Sequence, residues 1–306
     1  MLKLSARYHR IFQAVWSGTA ARLLSSGITL ISLPLAVRYL AAERYGVWAT
    51  VATTAVWINL LDLGIAGTLT NHISHAFALG DRTAAARAFT NALALSAGVA
   101  AFAGLIFSLL VHRVDWAALF NVSAKVSARE LEYTVAAAVA LMLLGLPCNL
   151  GNRLLAGYQE LHRGNCASCA GAVASLGGLA LGIVLRASMP VLFLMSVGCL
   201  TLAALVNMVL VLGWQKRWLR PRLSLLDPSS MKDLLHSGAS FFLIQVAAVV
   251  VFSSDNLIVS HYLGAAEVTP YSTTWRLVGV AALLQSLIFP ALWPAYAEAW
   301  AKGDYV

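Results

Sequence analysis

Charge is what this chain has least of. Only 11% of its 306 residues are Asp, Glu, Lys or Arg, and 13 of them are acidic. Water-soluble chains carry roughly a quarter charged residues, so a soluble globular class is excluded. Cysteine is scarce as well, at four. Cys166 and Cys169 form a C-x-x-C, but Cys148 and Cys199 lie inside apolar runs, so all four read as small packing residues rather than a zinc or redox site. His72 and His75 stand one helical turn apart without a carboxylate to complete a metal site. There is no HExxH pair, no nucleophile elbow and no phosphate-cradling glycine loop. The chain therefore reads as a non-enzyme, with no cofactor and no metal expected.

Hydrophobicity fills the space that charge leaves: 60% of residues are apolar, and the mean hydropathy is +0.77. Apolar stretches run over Thr19–Leu40, Val47–Leu69, Phe89–Val111, Tyr133–Leu155, Ala167–Leu185, Val191–Leu212, Phe241–Leu263 and Pro270–Leu292. Each is long enough to cross about 30 Å of hydrocarbon at 1.5 Å per residue. In lipid each must satisfy its own backbone hydrogen bonds, which makes them helices. The fold class is all-α, a polytopic membrane bundle of about eight transmembrane helices, and its first partner is the lipid bilayer. Short turns at "AAERYG" and "RASMP" make helices 1 and 2, and helices 5 and 6, antiparallel neighbours.

Lys and Arg concentrate in alternate loops, which puts the N-terminus in the cytoplasm. The basic stretch "QKRWLRPRLS", Gln215 to Ser224, reads as a cytoplasmic loop against anionic headgroups, and no nucleic-acid partner is expected. Beyond it, Ser230 and Asp233 have capping-box spacing for a short amphipathic surface helix. The domain reading is a six-helix lobe over 1–214, a linker over 215–237, and the first two helices of an incomplete second lobe over 238–306. An internal similarity supports that division. "VRYLAAERYGVWAT" and "VSHYLGAAEVTPYSTTW" share Tyr-Leu, small residues and a glutamate, with Tyr39 and Tyr262 standing 223 positions apart. Six helices lie between the repeat starts, so both copies have the same orientation, and the chain reads as stopping early in the second.

Ionised groups inside apolar stretches mark the candidate site. A charge at a helix centre costs roughly 2.5 to 3.5 kcal/mol on insertion scales, so such residues should face protein or water. Counted from the helix midpoints, Arg22 and Asp62 lie about 11 and 6 Å to the cytoplasmic side, and Asp255 and Arg276 about 4 and 7 Å to the outer side. Two pairings, Arg22 with Asp62 and Asp255 with Arg276, are open on this count. Gly18, Arg22, Ser25, Ser26 and Thr29 form one polar stripe on helix 1, and Gln245, Ser253, Asn256 and Ser260 share a sector of helix 7. These stripes read as the walls of a hydrated cavity, with interhelical hydrogen bonding as the alternative. Asp62 is either a structural ion pair or a carboxylate for a coupling ion, proton or sodium. Gly64 and Gly67 beside it allow close helix approach or bending. Arg22 and Arg276 suit a phosphate-bearing substrate.

"LAVRYLAAERYGVWATVATTAVWINLLDLGIAGTLTNHI", "LFNVS", "RLLAGYQELHRGN" and "DNLIVSHYLGAAEVTPYSTTWRL" together resemble the bacterial polysaccharide transporter family, the O-antigen flippase type within the multidrug/oligosaccharidyl-lipid/polysaccharide exporter superfamily. The resemblance implies a two-lobed bundle in the bacterial inner membrane that serves cell-surface polysaccharide and lipopolysaccharide biosynthesis. Such a bundle moves a polyprenyl-pyrophosphate-linked oligosaccharide across the membrane by alternating access. It also implies that Arg22 and Arg276 engage the anionic headgroup, and that twelve to fourteen helices are the family norm. The alternatives are a cation-coupled multidrug exporter of the same superfamily and, from another class, a membrane glycan polymerase, which would need a long outer loop.

Overall fold

The structure is a computed structural model in which residues 2–122 and 126–279 are described, the side chains of 2–15, 55 and 56 excepted. The described elements are helical: α1 (Leu2–Val56), a 3-10 segment (Trp57–Asp62), α2 (Ile65–Leu79), α3 (Arg82–Leu110), α4 (Trp116–Leu119), α5 (Ala128–Cys148), α6 (Leu150–Gly157), α7 (Leu161–Val184), α8 (Met189–Leu210), α9 (Pro228–Ser253) and α10 (Asp255–Leu263). A further helix, α11, covers 265–279. Six segments among the described residues are long and apolar enough to span a membrane. The first, Trp16–Asp62, contains the expected stretch Thr19–Leu40 and most of Val47–Leu69. The eighth expected stretch, Pro270–Leu292, runs out of the described residues.

Where the sequence suggested a six-residue turn between helices 1 and 2, the break is one residue. Ala41 alone leaves helical geometry, at φ 63° and ψ 169°. Ser25 and Tyr45 nevertheless line one cavity, whereas a straight helix would hold them about 30 Å apart. The chain therefore doubles back at Ala41. Its two limbs are held there by the Tyr39 hydroxyl, which donates to the Ala187 carbonyl at 2.7 Å, and by Arg44 on Glu130 at 3.0 Å. The other Glu130 oxygen accepts the Met189 N–H at the start of α8.

The expected helix Val47–Leu69 is not continuous. It tightens to 3-10 geometry over Trp57–Asp62 and then breaks at Leu63 and Gly64, both at positive φ, before α2 resumes. Gly64, at φ 77°, also lies against α9, where an added Cβ would fall 2.1 Å from the Gly238 carbonyl oxygen. Pro147 lies in the last turn of α5, where its ring nitrogen donates no hydrogen bond, and Asn149 separates α5 from α6. An added Cβ on Gly178 would fall 1.9 Å from the Met195 carbonyl oxygen, so Gly178 and Gly182, at GxxxG spacing, let α7 and α8 approach closely.

Two apolar clusters hold the bundle. One surrounds the Ala41 end through Tyr45, Trp48, Phe120, Leu192 and Phe193. The other joins α2, α3 and α6 to the linker through Ile65, Phe89, Leu154, Leu219 and Leu234. The linker corrects one sequence reading: α9 begins at Pro228 under an Asp227 cap and runs unbroken to Ser253, so Ser230 and Asp233 do not open a separate surface helix. Within the basic stretch the arginines are exposed and one lysine is buried. Lys216 is buried on Glu160 at 2.8 Å and lies over the Tyr158 ring. Arg217 and Arg220 donate to carbonyls at the end of α8, where helix C-termini attract cations.

The second break matches the first. Gly264, at φ 98° and ψ 155°, stands 223 positions after Ala41. The contacts across the two breaks are reciprocal: Thr269 donates to the Ala42 carbonyl, and Gly46 packs on Ala265 so closely that a Cβ would overlap its carbonyl oxygen. In repeat positions 46 corresponds to 269 and 42 to 265. Each copy thus offers the same two positions to the other, as a two-fold axis requires.

Candidate functional site

The α1 limb before Ala41 packs along α7 and α8, and the limb after it returns over the same groove. Between them lies a cavity of about 320 Å³. Ser25, Thr29 and Ser32 line it from α1, Ser175 from α7 and Ser196 from α8, with Tyr45 and Trp48 from the returning limb and Arg276 from α11. A second cavity of about 240 Å³ adjoins it, sharing Ser25, Ala172 and Leu200, and adds Asn149, Asn152 and Ser168. Asn207 donates to Asn152 at 2.7 Å beneath that floor.

Several of these hydroxyls are occupied by their own helices, as is usual in lipid. Thr29 donates to the Ser25 carbonyl, Ser32 to that of Thr29 and Ser196 to that of Leu192. Tyr45 differs from them. It is 1% exposed, and its hydroxyl faces the Ser272 side chain. Ser272 in turn donates to the Thr269 carbonyl. The Arg276 guanidinium lies 6.0 Å from the centre of the Tyr45 ring, within cation–π range. Among the described lining residues, Arg276 supplies the charge of the cavity.

The residues singled out from sequence fall into three places. Ser25, Thr29 and Arg276 meet in the main cavity, while Ser26 is on the same helix outside its lining and Arg22 lies exposed one turn earlier. Asp62 and Gln245 form a second group. Asp62 is 7% exposed and accepts the Ala66 N–H at 3.1 Å and the Gln245 amide at 3.4 Å. Asp255 and Asn256 form the third: Asp255 accepts a 2.5 Å bond from the Tyr271 hydroxyl, and Asn256 is buried.

Neither ion pair left open by helix depth is formed. The ion pairs among the described residues are Arg44–Glu130, His112–Glu132, Arg163–Glu160 and Lys216–Glu160. Asp62 is instead the acceptor where α2 restarts, a helix-capping task that places a carboxylate at exposed backbone donors. The signal was present in "LLDLGIAGT", an aspartate four residues before Ala66 with a glycine between. Continuous hydrophobicity masked it. Tyr45 was missed because an aromatic opening a helix reads as packing, and Asn149 and Asn152 because they lie inside the apolar stretch Tyr133–Leu155.

The curated relatives are informative about family. A protein named as an O-antigen transporter from Salmonella typhi is 23% identical over 301 residues, which covers 94% of this chain and 65% of that protein. A protein named as an O-antigen export protein from Yersinia pseudotuberculosis is 23% identical over 294 residues, covering 94% and 65%. The chain thus spans slightly under two thirds of their length. Among solved structures, an inward-facing multidrug resistance transporter of the MATE family matches with a TM-score of 0.65 at 16% identity, covering 94% of this chain and 64% of that one. A transporter of the same superfamily from Pyrococcus furiosus matches with a TM-score of 0.65 at 15% identity, covering 95% and 65%. The shared fold is that of multi-pass membrane transporters. The polysaccharide biosynthesis protein family model matches residues 11–300, and the chain belongs to that family.

Proposed function

We propose that the protein is a flippase, not an enzyme, that moves a polyprenyl-pyrophosphate-linked oligosaccharide across the bacterial inner membrane for surface polysaccharide synthesis. In this reading the N-terminus is cytoplasmic and 1–214 and 238–306 belong to two lobes joined by the linker. The observation that carries it is Arg276, a second-lobe guanidinium lining a hydroxyl-walled cavity of the first. A planar fork of donors in a shielded site suits phosphate oxygens, and contact with both lobes suits a group released when they part. Arg22, one turn before Ser25, is assigned to the approach of the headgroup.

The drug-exporter reading is less well supported, because a cationic cargo needs a carboxylate in the cavity wall and Asp62 is engaged at the start of α2 instead. A coupling ion, proton or sodium, is retained as part of the proposal. The test is leaflet transfer of a fluorescent polyprenyl-pyrophosphate-linked oligosaccharide in liposomes holding the intact protein. Transfer is expected, slowed at least roughly tenfold by Arg276→Ala, the loss of one charge-assisted contact. Equal rates with wild type, variant and empty liposomes would overturn it.

A further inference from the structure

On the far side of the returning limb, a cavity of about 630 Å³ opens between the 3-10 segment, α3 and α5, and its described lining is wholly apolar. The Trp116 indole N–H at its mouth is already given to the Val111 carbonyl at 2.9 Å. Water finds no hydrogen-bond partner in such a space, and native interiors keep few voids so large. A 3-10 helix has three residues per turn, so Ile58 and Leu61 stand in one row. That row is shared: a second apolar cavity of about 380 Å³, against Val51, Phe120 and Val135, meets the first at Ile58, Leu61, Trp116 and Val139.

Length and charge name the occupant. The larger lining follows α3 from Val99 to Leu110, about 16 Å of helix. That is half of about 30 Å of hydrocarbon, the reach of one leaflet. It ends where Arg113 stands exposed between the lining residues Val111 and Val114. Among the described residues Arg113 has no ion pair, because Glu132 is engaged by His112 and Asp115 accepts the N–H groups that open α4. A guanidinium at headgroup level suits a phosphate. A single polyprenyl chain would fill one cleft and leave its neighbour, whereas two acyl chains fill both.

We propose that the paired clefts bind one two-chain phospholipid, its acyl chains on either side of the Ile58–Leu61 row and its phosphate on Arg113. With the N-terminus cytoplasmic this is a lipid of the outer leaflet. It is a resident of the fold, separate from any transported cargo.

The experiment is native mass spectrometry of the purified intact protein, stripped of lipid in detergent and titrated with three probes: dioleoylphosphatidylglycerol, its one-chain lyso form, and undecaprenyl phosphate. One dioleoylphosphatidylglycerol should bind per chain, at least roughly tenfold tighter than either single-chain probe, since a second chain buries further apolar surface. Arg113→Gln should weaken it roughly tenfold, the loss of one charge-assisted contact. Ala103→Trp, which fills the larger cleft, should abolish it, and Ala101→Trp, on α3 outside the lining, should leave it unchanged. Should Ala103→Trp lower the unfolding temperature of the lipid-free protein, the exposed Arg113→Gln carries the test alone. Undecaprenyl phosphate bound as tightly as the phospholipid would make the clefts a cargo site and overturn the proposal. Phospholipid binding that Arg113→Gln leaves unaltered, or no phospholipid bound by wild type, overturns it as well. Each of these results leaves the flippase reading standing.

Discussion

Asp62 shows how a single residue changes meaning once its surroundings are known. An aspartate in an apolar stretch invites a role in ion coupling, yet its carboxylate receives the Ala66 N–H and the Gln245 amide where two helical segments meet. A capping acceptor is uncharged in its requirement: oxygen, not charge, is what the backbone donor needs. Asp62→Asn should therefore lower stability by less than about 1 kcal/mol, whereas Asp62→Ala, which removes the acceptor, should cost about 1 to 2 kcal/mol. Thermal unfolding in detergent measures both. A collapse of leaflet transfer in Asp62→Asn at unchanged stability would return this residue to ion coupling.

At the scale of elements, the segment between α8 and α9 is fastened to α3 and to the start of α7 by polar contacts that a hydropathy pattern hides. Glu160 holds both Arg163 and Lys216, and Arg82 stacks on Trp218 beside them. Asn91, fully buried in α3, donates to the Leu225 carbonyl and accepts the Asp227 N–H. Removing the Glu160 charge strands the buried Lys216 ammonium. Such a break costs about 3 to 5 kcal/mol in a dry interior, and roughly 2 here because Glu160 is 23% exposed. Glu160→Gln should thus lower the unfolding temperature, with Lys216→Met in the same chain restoring part of the loss.

At the other end of the linker, the Ser229 hydroxyl and then its backbone N–H hold the Asp227 carboxyl below the ordinary carboxylate range. A depressed acid stabilises the fold above its unfolded value, about 3.9, and that contribution is lost as pH falls through the lower folded value. Proteolysis at the start of α9 should therefore accelerate as pH drops below about 4, and the acceleration should vanish in Asp227→Asn.

Across the whole molecule, the second limb of α1 and its continuation touch α9 and α11 at two levels. Ala42 and Gly46 meet Ala265 and Thr269, while Gly64 and Gly67 meet Gly238 and Phe241. About twenty residues separate the levels, or about 30 Å of helix, close to the thickness of the hydrocarbon. In the proposed flippase, a cargo path between the two lobes would need one of these contacts to part at a time. With the native cysteines replaced, Ala42→Cys and Thr269→Cys should cross-link on oxidation, halt leaflet transfer, and release it on reduction. Transfer that continues in the oxidised protein would mean that this contact stays closed throughout the cycle.

The sequence by itself determined the class of molecule: scarce charge and repeated apolar stretches leave helices in a bilayer as the arrangement that satisfies every backbone group. It also marked, by Tyr39 and Tyr262, two helix breaks of similar geometry, and it named Ser25, Thr29 and Arg276, which the fold gathers into one cavity. What the tertiary structure alone decided was pairing. Counting residues along a helix gives depth but no azimuth, so Arg22 with Asp62 and Asp255 with Arg276 matched in height and not in direction. The doubling back at Ala41 set Tyr45 beside Arg276. Separation in space follows from one backbone angle there, and no composition or period along the chain records it.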